Sequence, residues 1–411
     1  MAFEGTPRDG NNARHGQKMG RGVNFFGSYE TEDGIGRAAA LNLKCLEATE
    51  LPLQCYVLSR PVARQTGVNT TINEQLLSSL KNKINLFHFS ARWVPHYFSC
   101  LGEGALAGFY NIGYWVCEVP EIPNQWTRQL EFFDEIWTAS TFCQSSIARS
   151  ANIPIVRISH AINTKPVSAR IFARQAGKQV GKFTFLTIFN VYSDAERKNV
   201  LFTIRAFLNA HANNQDIRLI VKASNLEHDP LLAEKFKEIR ALYKNIEIIE
   251  GYVETAEIQA LYDRADAYVS LHRAEGFGLT ISDAMSRGIP VITTGYSGNM
   301  EFCQASDTRL VAYKLRTVGH DRLRYRKDDI WAEPDMEDAV CAFQELVANY
   351  PSWIEKAAKA RERIEEQFSM QAVSTLMLER IKLINSNFSY CDDMKDRHLD
   401  RDVGIYETYG F

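Results

Sequence analysis

No stretch of the chain approaches the ~18 consecutive apolar residues that a membrane-spanning helix needs, and the opening residues 1–22 are polar and glycine-rich, without the apolar segment of a secretory signal. Neither a spanning helix nor export is therefore expected. Neither sign of charge dominates: 47 Lys and Arg stand against 50 Asp and Glu, so the formal net charge is −3 and no nucleic-acid partner is indicated. Cysteine is sparse and scattered, eight in all (Cys45, Cys55, Cys100, Cys117, Cys143, Cys303, Cys341 and Cys391), with no C-x2-C pair and no zinc spacing. That pattern excludes a disulfide framework and points to a reduced, cytoplasmic setting. No internal repeat is visible, and no basic amphipathic stretch marks a membrane face, so any attachment to a membrane would be peripheral.

What is present is a long chain of ordinary globular composition. Its 411 residues exceed one core and predict two or three domains, and 45% hydrophobic with 24% charged residues is the balance of a soluble enzyme. The most informative stretch runs from Ala267 to Glu301. An apolar strand (Ala267 to Leu271) leads into His272-Arg273-Ala274-Glu275-Gly276-Phe277-Gly278, and a helix begins near Gly278 or Leu279. Ile281, Ala284 and Met285 form its inward face, Gly288-Ile289-Pro290 stops it, and a further strand and Ser297-Gly298-Asn299-Met300-Glu301 follow. Strand, glycine loop, helix, strand is the unit of an open parallel sheet, and such a loop lies at the carboxyl ends of the strands, where free N–H groups suit an anion.

Glu275 precedes this loop and Asp283 follows it inside the helix, with seven residues between them. The arrangement resembles the E-x7-E signature of retaining GT-B glycosyltransferases, above all family 4, and the resemblance extends over most of residues 23 to 385. It implies two Rossmann-like parallel-sheet domains facing a cleft. It also implies that Glu275 meets hydroxyls of the donor sugar, that Gly276, Phe277, Gly278 and Leu279 cradle the diphosphate, and that the second acid holds the ribose. Here that acid is Asp283, one methylene shorter than the family's Glu.

The rest of the chain is read against that resemblance. After the 1–22 arm, Val23 to Gly27 is a first buried strand, followed by Gly34-Ile35-Gly36-Arg37 and a helix from about Ala38 to Glu47. The glycines formally fit the dinucleotide fingerprint G-x-G-x-x-A, but they lie about seven residues beyond the strand, and the next strand (residues 54 to 58) ends in Ser59-Arg60 without the acid that would hold a cofactor ribose. A helix-initiating loop is the plain alternative; the resemblance assigns Gly34, Gly36 and Arg37 to the cleft. Residues 84 to 89 make another strand, with His88 and His96 candidates for the cleft or for a structural role.

Asn111-Ile112-Gly113-Tyr114-Trp115-Val116-Cys117-Glu118 ends a strand in aromatics and a carboxylate, and Pro120 and Pro123 then force an extended loop. A bacterial subgroup of family 4 carries a similar segment where other members have a histidine. Glu118 thus becomes a candidate to position the acceptor hydroxyl or take its proton, either on closure of the two domains or, on the plain reading, merely as a surface carboxylate. Trp126, Leu130 and Phe133 have core spacing, and Ser140 reads as the cap of a helix after a strand from Asp134. The first domain is expected over 23–170, a linker over 171–182, the nucleotide-sugar domain over 183–369, and over 370–411 a last helix that by the resemblance crosses back to the first domain, followed by a charged tail.

In the second domain, Phe183 to Asn190 is a buried strand, and Ser193-Asp194-Ala195-Glu196-Arg197-Lys198-Asn199 precedes a helix from Val200 to about Ala210. Arg197 and Lys198 form an anion pocket, Arg as a fork and Lys as a point charge, unless the pair is simply a solvated turn. By the resemblance they neutralise the leaving nucleoside diphosphate. The family's usual Arg at the strand end is Asn190 here, so Arg197 acts alone or with help from Arg273. Lys222 ends the next strand where, by the resemblance, ligands gather, and Tyr252 and Val253 open a loop that the resemblance sets against the base; residues 302 to 329 look irregular; helices are expected over 336–348, 351–368 and 370–384.

The expected reaction is transfer of a hexosyl unit from a nucleoside diphosphate sugar, UDP-glucose ahead of GDP-mannose, to a saccharide or lipid-linked hydroxyl with retention. No D-x-D segment lies in a suitable strand-end loop, so no metal and no other cofactor is expected. A nucleotide-sugar epimerase and a non-catalytic sugar-nucleotide-binding protein are the alternatives.

Overall fold

The computed structural model describes residues 19–31, 33–58, 70–178, 180–322 and 324–387. The flanking segments expected as an arm and a tail lie mostly outside them, as do Ser59 and Arg60. Fourteen strands and fourteen α-helices are present among the described residues, arranged as two six-stranded parallel sheets flanked by helices and one small hairpin. The first sheet is built from β1 (Gly20–Gly27), β2 (Leu53–Val57), β3 (Asn82–His88), β4 (Tyr110–Trp115), β5 (Glu135–Thr138) and β6 (Ile155–Arg157), in the order β2-β1-β3-β4-β5-β6. Its helices are α1 (Gly34–Glu47), α2 (Glu74–Ser79), α3 (Val94–Phe98), α4 (Asn124–Gln129) and α5 (Thr141–Ala148), followed by α6 (Ala169–Gln175).

The second sheet is built from β7 (Phe183–Asn190), β8 (Ile217–Ser224), β9 (Ile246–Glu250), β10 (Ala267–Ser270), β11 (Val291–Thr294) and β12 (Arg309–Val311), in the order β12-β11-β10-β7-β8-β9. Between these strands run α7 (Ala195–Lys198), α8 (Val200–His211), α9 (Pro230–Leu242), α10 (Thr255–Asp263) and α11 (Leu279–Met285). An antiparallel hairpin of β13 (Tyr313–Thr317) and β14 (Ile330–Pro334) precedes α12 (Met336–Ala348), α13 (Tyr350–Phe368) and α14 (Met370–Asn387).

By compactness the chain divides into one unit of residues 1–114, 129–135 and 378–411 and another of 115–128 and 136–377. In the first unit β1, β3 and β4 bury both faces, as parallel strands covered by helices must. Phe26 stacks on Phe87 at 4.8 Å, and Phe98 meets the Phe87 ring edge-on at 5.1 Å. A ladder of buried asparagines crosses the same strands: Asn24 donates to Asn85, and Asn85 to Asn111, each at 2.9 Å. The donating Nδ2 groups of Asn24 and Asn85 thus each find an oxygen on the neighbouring strand, where an unpaired one would be costly.

In the second unit one apolar cluster includes Phe185, Phe189, Leu219, Val221, Val269 and Ile292 from the sheet with Phe207, Phe236, Phe343 and Trp353 from the helices. Its strand order reverses between β7 and β10, which pair in parallel through Ala267–Phe185 and Tyr268–Leu186. Connections leave these two neighbouring strands toward opposite sides, so the loops after them part and leave a crevice at their carboxyl ends.

Several boundaries differ from the sequence reading, each for a local reason. β1 begins at Gly20, inside the expected arm, because Gly20 N donates to Lys81 O at 2.7 Å. α1 begins at Gly34 instead of Ala38: Asp33 caps the amide of Gly36 at 2.8 Å, and the missing Cβ at Gly36 lets the turn pass Thr31, whose Oγ1 would lie 2.0 Å from it. Running from the end of the expected first domain into the expected linker is α6, held by Arg170 and Arg174, which both grip the buried Asp266. Residues 302–329, expected to be irregular, contain β12 and β13. β13 is exposed along its whole length and pairs only with β14, so it carries no apolar alternation to read. In the first unit, Arg380 of α14 pairs with the buried Glu135, and Asn385 donates to Arg21 O at 2.9 Å.

Asp266 also accepts from Thr184 N at 2.8 Å, so one carboxylate ties α6 to two strand ends. Removing a buried, multiply bonded partner costs about 3 kcal/mol. Asp266→Ala is expected to lower the unfolding midpoint of its unit by roughly 6–12 °C, measured by calorimetry; a shift under about 2 °C would show that α6 is held otherwise.

Candidate functional site

The crevice between β7 and β10 is where the charged residues converge. β7 ends at Asn190, whose side-chain oxygen accepts from Tyr192 N and Asn225 Nδ2, both at 2.9 Å, so the residue standing where the family has Arg braces its own loop. Beyond it, α7 is a single turn bounded by two left-handed backbone positions, Asp194 (φ 71°) and Asn199 (φ 56°). Such geometry costs about 1–3 kcal/mol per residue unless it is over-determined. Here it is: Asp194 Oδ1 accepts from Glu196 N at 3.0 Å and Arg197 N at 3.2 Å, and Asn199 Nδ2 reaches Leu271 O at 3.0 Å. The strained turn aims Arg197 and Lys198 at the end of the neighbouring strand.

That strand, β10, is followed by Glu275. Its Oε2 lies 3.2 Å from Arg197 Nη1, and its Oε1 accepts from Lys198 Nζ. Arg197 also donates to Ala274 O at 2.6 Å and to Ser193 O at 2.8 Å, and its Nη2 is 3.9 Å from Glu118 Oε1. Glu275 and Arg197 are buried, at 6% and 3% exposure, so this is a desolvated charge cluster, the kind that holds only when fully partnered. Burial alone would raise the Glu275 carboxyl, but Lys198 and then Arg197 outweigh it and bring it to about 2. Burial lowers the Lys198 ammonium, with Glu275 opposing. Burial likewise acts against the Arg197 guanidinium, yet the Glu275, Glu118 and Asp194 carboxylates around it hold it above its ordinary value.

The backbone of the glycine loop is fixed from several sides. Glu275 N donates to Ser297 Oγ at 2.8 Å, Gly298 N to Glu275 O at 2.8 Å, and Ser140 Oγ to Gly276 O at 2.8 Å. Only glycine fits at 276, where a Cβ would sit 2.0 Å from Val116 Cγ1, and at 298, where it would sit 2.1 Å from Gly276 O. Gly278 takes φ 99° to start α11, and Phe277 buries its ring against His160 and Phe302. Leu279 opens the helix, and Asp283 is half-buried on its second turn, with its carbonyl accepting from Arg287 at 2.6 Å.

Other expected site residues turn out to be engaged elsewhere. Lys222 is fully buried and directs Nζ to Ala223 O, Ser224 Oγ and Gly251 O at 3.2, 3.1 and 2.5 Å, so its donors fasten the Gly251 loop. Arg273 forms a fork on Glu333 at 2.8 and 3.1 Å, donates to Glu196 O at 2.7 Å and lies over Trp331; it braces β14 instead of assisting Arg197. Tyr252 and Val253 occupy the loop after β9, with Tyr252 half exposed. In the other unit, Gly34 and Arg37 are exposed on the first turn of α1, and His96 is exposed on α3. His88 is buried, stacks on Tyr114 at 4.3 Å and bonds Asn42 at 3.0 Å; burial pushes it down to about 3, so it is a neutral packing group.

Glu118 was expected to reach the charged cluster only on closure of the domains. Instead, residues 115–128 belong to the same compact unit as Arg197, and the contact is made. The sequence reading missed Asp194, Ser297, Arg322 and Tyr325 as parts of this neighbourhood. Asp194 and Ser297 lay within motifs that had been noted, whereas Arg322 and Tyr325 lay in a stretch without periodicity. Among the described residues, no group of three His, Cys, Asp or Glu is disposed to hold a metal, and no helix is long and apolar enough to cross a membrane.

Residues 148–376, more than half of the chain, match the model of a family described as family 4 glycosyltransferases in conflict systems. Over 202 residues the chain is 24% identical to the sucrose synthase of Melioribacter roseus, a match spanning 45% of this chain but only 23% of that protein. Over 269 residues it is 24% identical to O-antigen chain mannosyltransferase B of Escherichia coli, covering 60% of this chain and 67% of that one. Among solved structures, sucrose-phosphate synthase from Thermosynechococcus elongatus superposes with a TM-score of 0.63 at 14% identity, over 90% of this chain and 99% of that one. Anabaena HepE, solved in complex with UDP and glucose, does so with a TM-score of 0.62 at 12% identity, over 88% and 99%. The fold is that of the GT-B glycosyltransferases.

The depressed Glu275 carboxyl has a signed consequence. Its contribution to stability is present above the ordinary value of 4.5 and is lost as pH falls toward about 2. The wild type should therefore unfold at a higher temperature than Glu275→Gln at neutral pH, with the gap narrowing below about pH 4.5. A gap that stays constant in thermal scans from about pH 5 to about pH 3 would contradict the ion cluster.

Proposed function

The chain belongs to the family 4 glycosyltransferases, and on that premise we propose that it transfers a hexosyl unit from a nucleoside diphosphate sugar to a hydroxyl of a saccharide or lipid-linked acceptor, with retention at the anomeric carbon. UDP-glucose is the favoured donor, in keeping with the UDP and glucose of the HepE complex, and GDP-mannose is the alternative that the mannosyltransferase relative suggests. The observation that carries the reading is the buried Glu275 carboxylate held by Arg197 and Lys198 at the switch point of a parallel sheet.

Departure of the diphosphate places negative charge on its oxygens and positive charge on the sugar ring. Arg197, kept charged by its carboxylate neighbours, and Lys198 meet the first; Glu275 accepts from sugar hydroxyls and faces the second. The cations lie in a site poor in water, where such charges act strongly, and they need no metal to do so. Asp283, on the second turn of α11, is assigned to the ribose. Glu118, half-buried beside Arg197, is assigned to orient the acceptor hydroxyl and receive its proton. Synthesis of a polysaccharide or glycolipid is the setting that fits, with any membrane contact peripheral.

Thermal-shift titration with UDP, GDP and their sugars, followed by NMR of the product anomer, tests the reading. Binding of a nucleoside diphosphate and an axial new linkage from an α-linked donor are expected. Conversion of the donor to an epimer without transfer would replace the reading, and absence of binding would end it. Lys198→Ala, which leaves Glu275 its Arg197 partner, is expected to lower kcat by about 100- to 1,000-fold. Glu118→Gln should cut transfer while donor affinity stays within about two-fold; unchanged transfer would remove Glu118 from the chemistry.

A further inference from the structure

The loop between β13 and β14, to which no function was assigned above, ends beside the charged cluster. Paired backbone bonds lead into it, Val318 N to Asp329 O and Gly319 N to Lys327 O, both at 2.8 Å. At its tip Arg322 and Tyr325 exchange backbone hydrogen bonds at 2.8 and 3.3 Å. Arg322 then pins the tip to the strained turn: its Nε lies 3.0 Å from Asp194 Oδ2, and its Nη1 pairs with Glu196. Asp194, which caps the turn that aims Arg197 and Lys198, is thus held by this loop.

The same tip delivers Tyr325. Its ring packs against Trp331 at 5.8 Å, and the residue is 4% exposed. Its hydroxyl is buried and has no hydrogen-bond partner among the described residues. Burial, and then the nearby Glu118 carboxylate, push the phenol well above its ordinary value, so it remains a neutral O–H. The next charge acting on it is Arg197, so the hydroxyl lies within reach of the charged cluster.

A buried hydroxyl left unpaired costs free energy, so a fold that keeps one has a use for it or fills it with an outside atom. The neighbourhood says which kind of atom. A guanidinium only donates, so Arg197 cannot accept the phenol proton. Under the reading given above the charged cluster receives the diphosphate, and a phosphate oxygen, with several lone pairs, is the acceptor it would bring to this hydroxyl. Resting on the reading given under Proposed function, we propose that Tyr325 is a donor-binding residue whose O–H hydrogen-bonds an oxygen of the nucleoside diphosphate beside Arg197. The β13–β14 loop thereby forms part of the diphosphate site, together with the glycine loop after β10 and the turn after β7.

Tyr325→Phe removes only the hydroxyl and keeps the ring on Trp331. By calorimetric titration, the variant is expected to bind UDP and UDP-glucose, or GDP and GDP-mannose if those are what the wild type takes, roughly 10- to 100-fold more weakly. Without nucleotide its unfolding midpoint should match or exceed that of the wild type, because an unsatisfied group has been removed. Equal affinity in variant and wild type would overturn the inference and leave the glycosyltransferase reading standing. So would a fall of several degrees in the nucleotide-free midpoint, which would reveal a partner within the protein. A loss confined to the sugar nucleotide and absent for the free diphosphate would overturn it too, by moving the contact to the sugar. Failure of the wild type itself to bind any nucleoside diphosphate would instead sink the functional reading.

Discussion

The second unit depends on a carboxylate that could not stay ionised in its place alone. Glu275 is buried at the end of β10, and an isolated charge there would be neutralised by its own desolvation. Arg197 and Lys198 prevent that, and they can do so only because the turn after β7 is bent through two left-handed residues. Asp194 caps that turn and Asn199 anchors it to Leu271. Ion cluster and strained turn therefore require each other, and the sheet order that places β7 beside β10 is the condition for both.

From this pair of strand ends the surrounding structure can be understood as support. Ser297 and Gly298 hold the Glu275 backbone from one side, and Ser140 holds the carbonyl of Gly276 from another. The glycines at 276 and 298 are there for close approach: each lies where a single methyl group would collide with a neighbouring atom. Arg273 and Arg322, which a reading by charge alone would place among ligand-binding cations, act one step further out. Arg273 bridges to Glu333 and Arg322 to Asp194, so the hairpin β13–β14 is clamped to the turn that carries Arg197. Lys222 does the same for the loop after β9. Three of the basic residues near the site thus hold backbone in place, leaving Arg197 and Lys198 on the buried carboxylate.

Much of this was legible in the linear order of residues. Buried parallel strands are nearly continuous apolar runs, so β7 was read from Phe183 to Asn190 as observed, and β10 and α11 to within a residue or two. Glu275, the glycines after it and the Arg197-Lys198 pair stood out because chemistry of that type at a strand end has few other uses. β13 was not legible, since an exposed strand that pairs only with its hairpin partner has no inward face to pattern. The start of α1 was misplaced because a glycine that permits close packing looks the same in sequence as a glycine that begins a loop.

Sequence by itself determined the fold class, the family, and which two strand ends carry charge, because periodicity, glycine spacing and residue type are local properties. Tertiary structure alone decided which charges meet. Arg273 is two residues from Glu275 in sequence yet turns away to Glu333, while Glu118, remote in sequence, comes within 3.9 Å of Arg197. Tyr325 gave no signal at all, since an unpaired hydroxyl is defined by what surrounds it after the chain has folded. The physical reason is the same in each case: side-chain partners are chosen by the register and crossing of distant segments, which no single stretch of sequence contains.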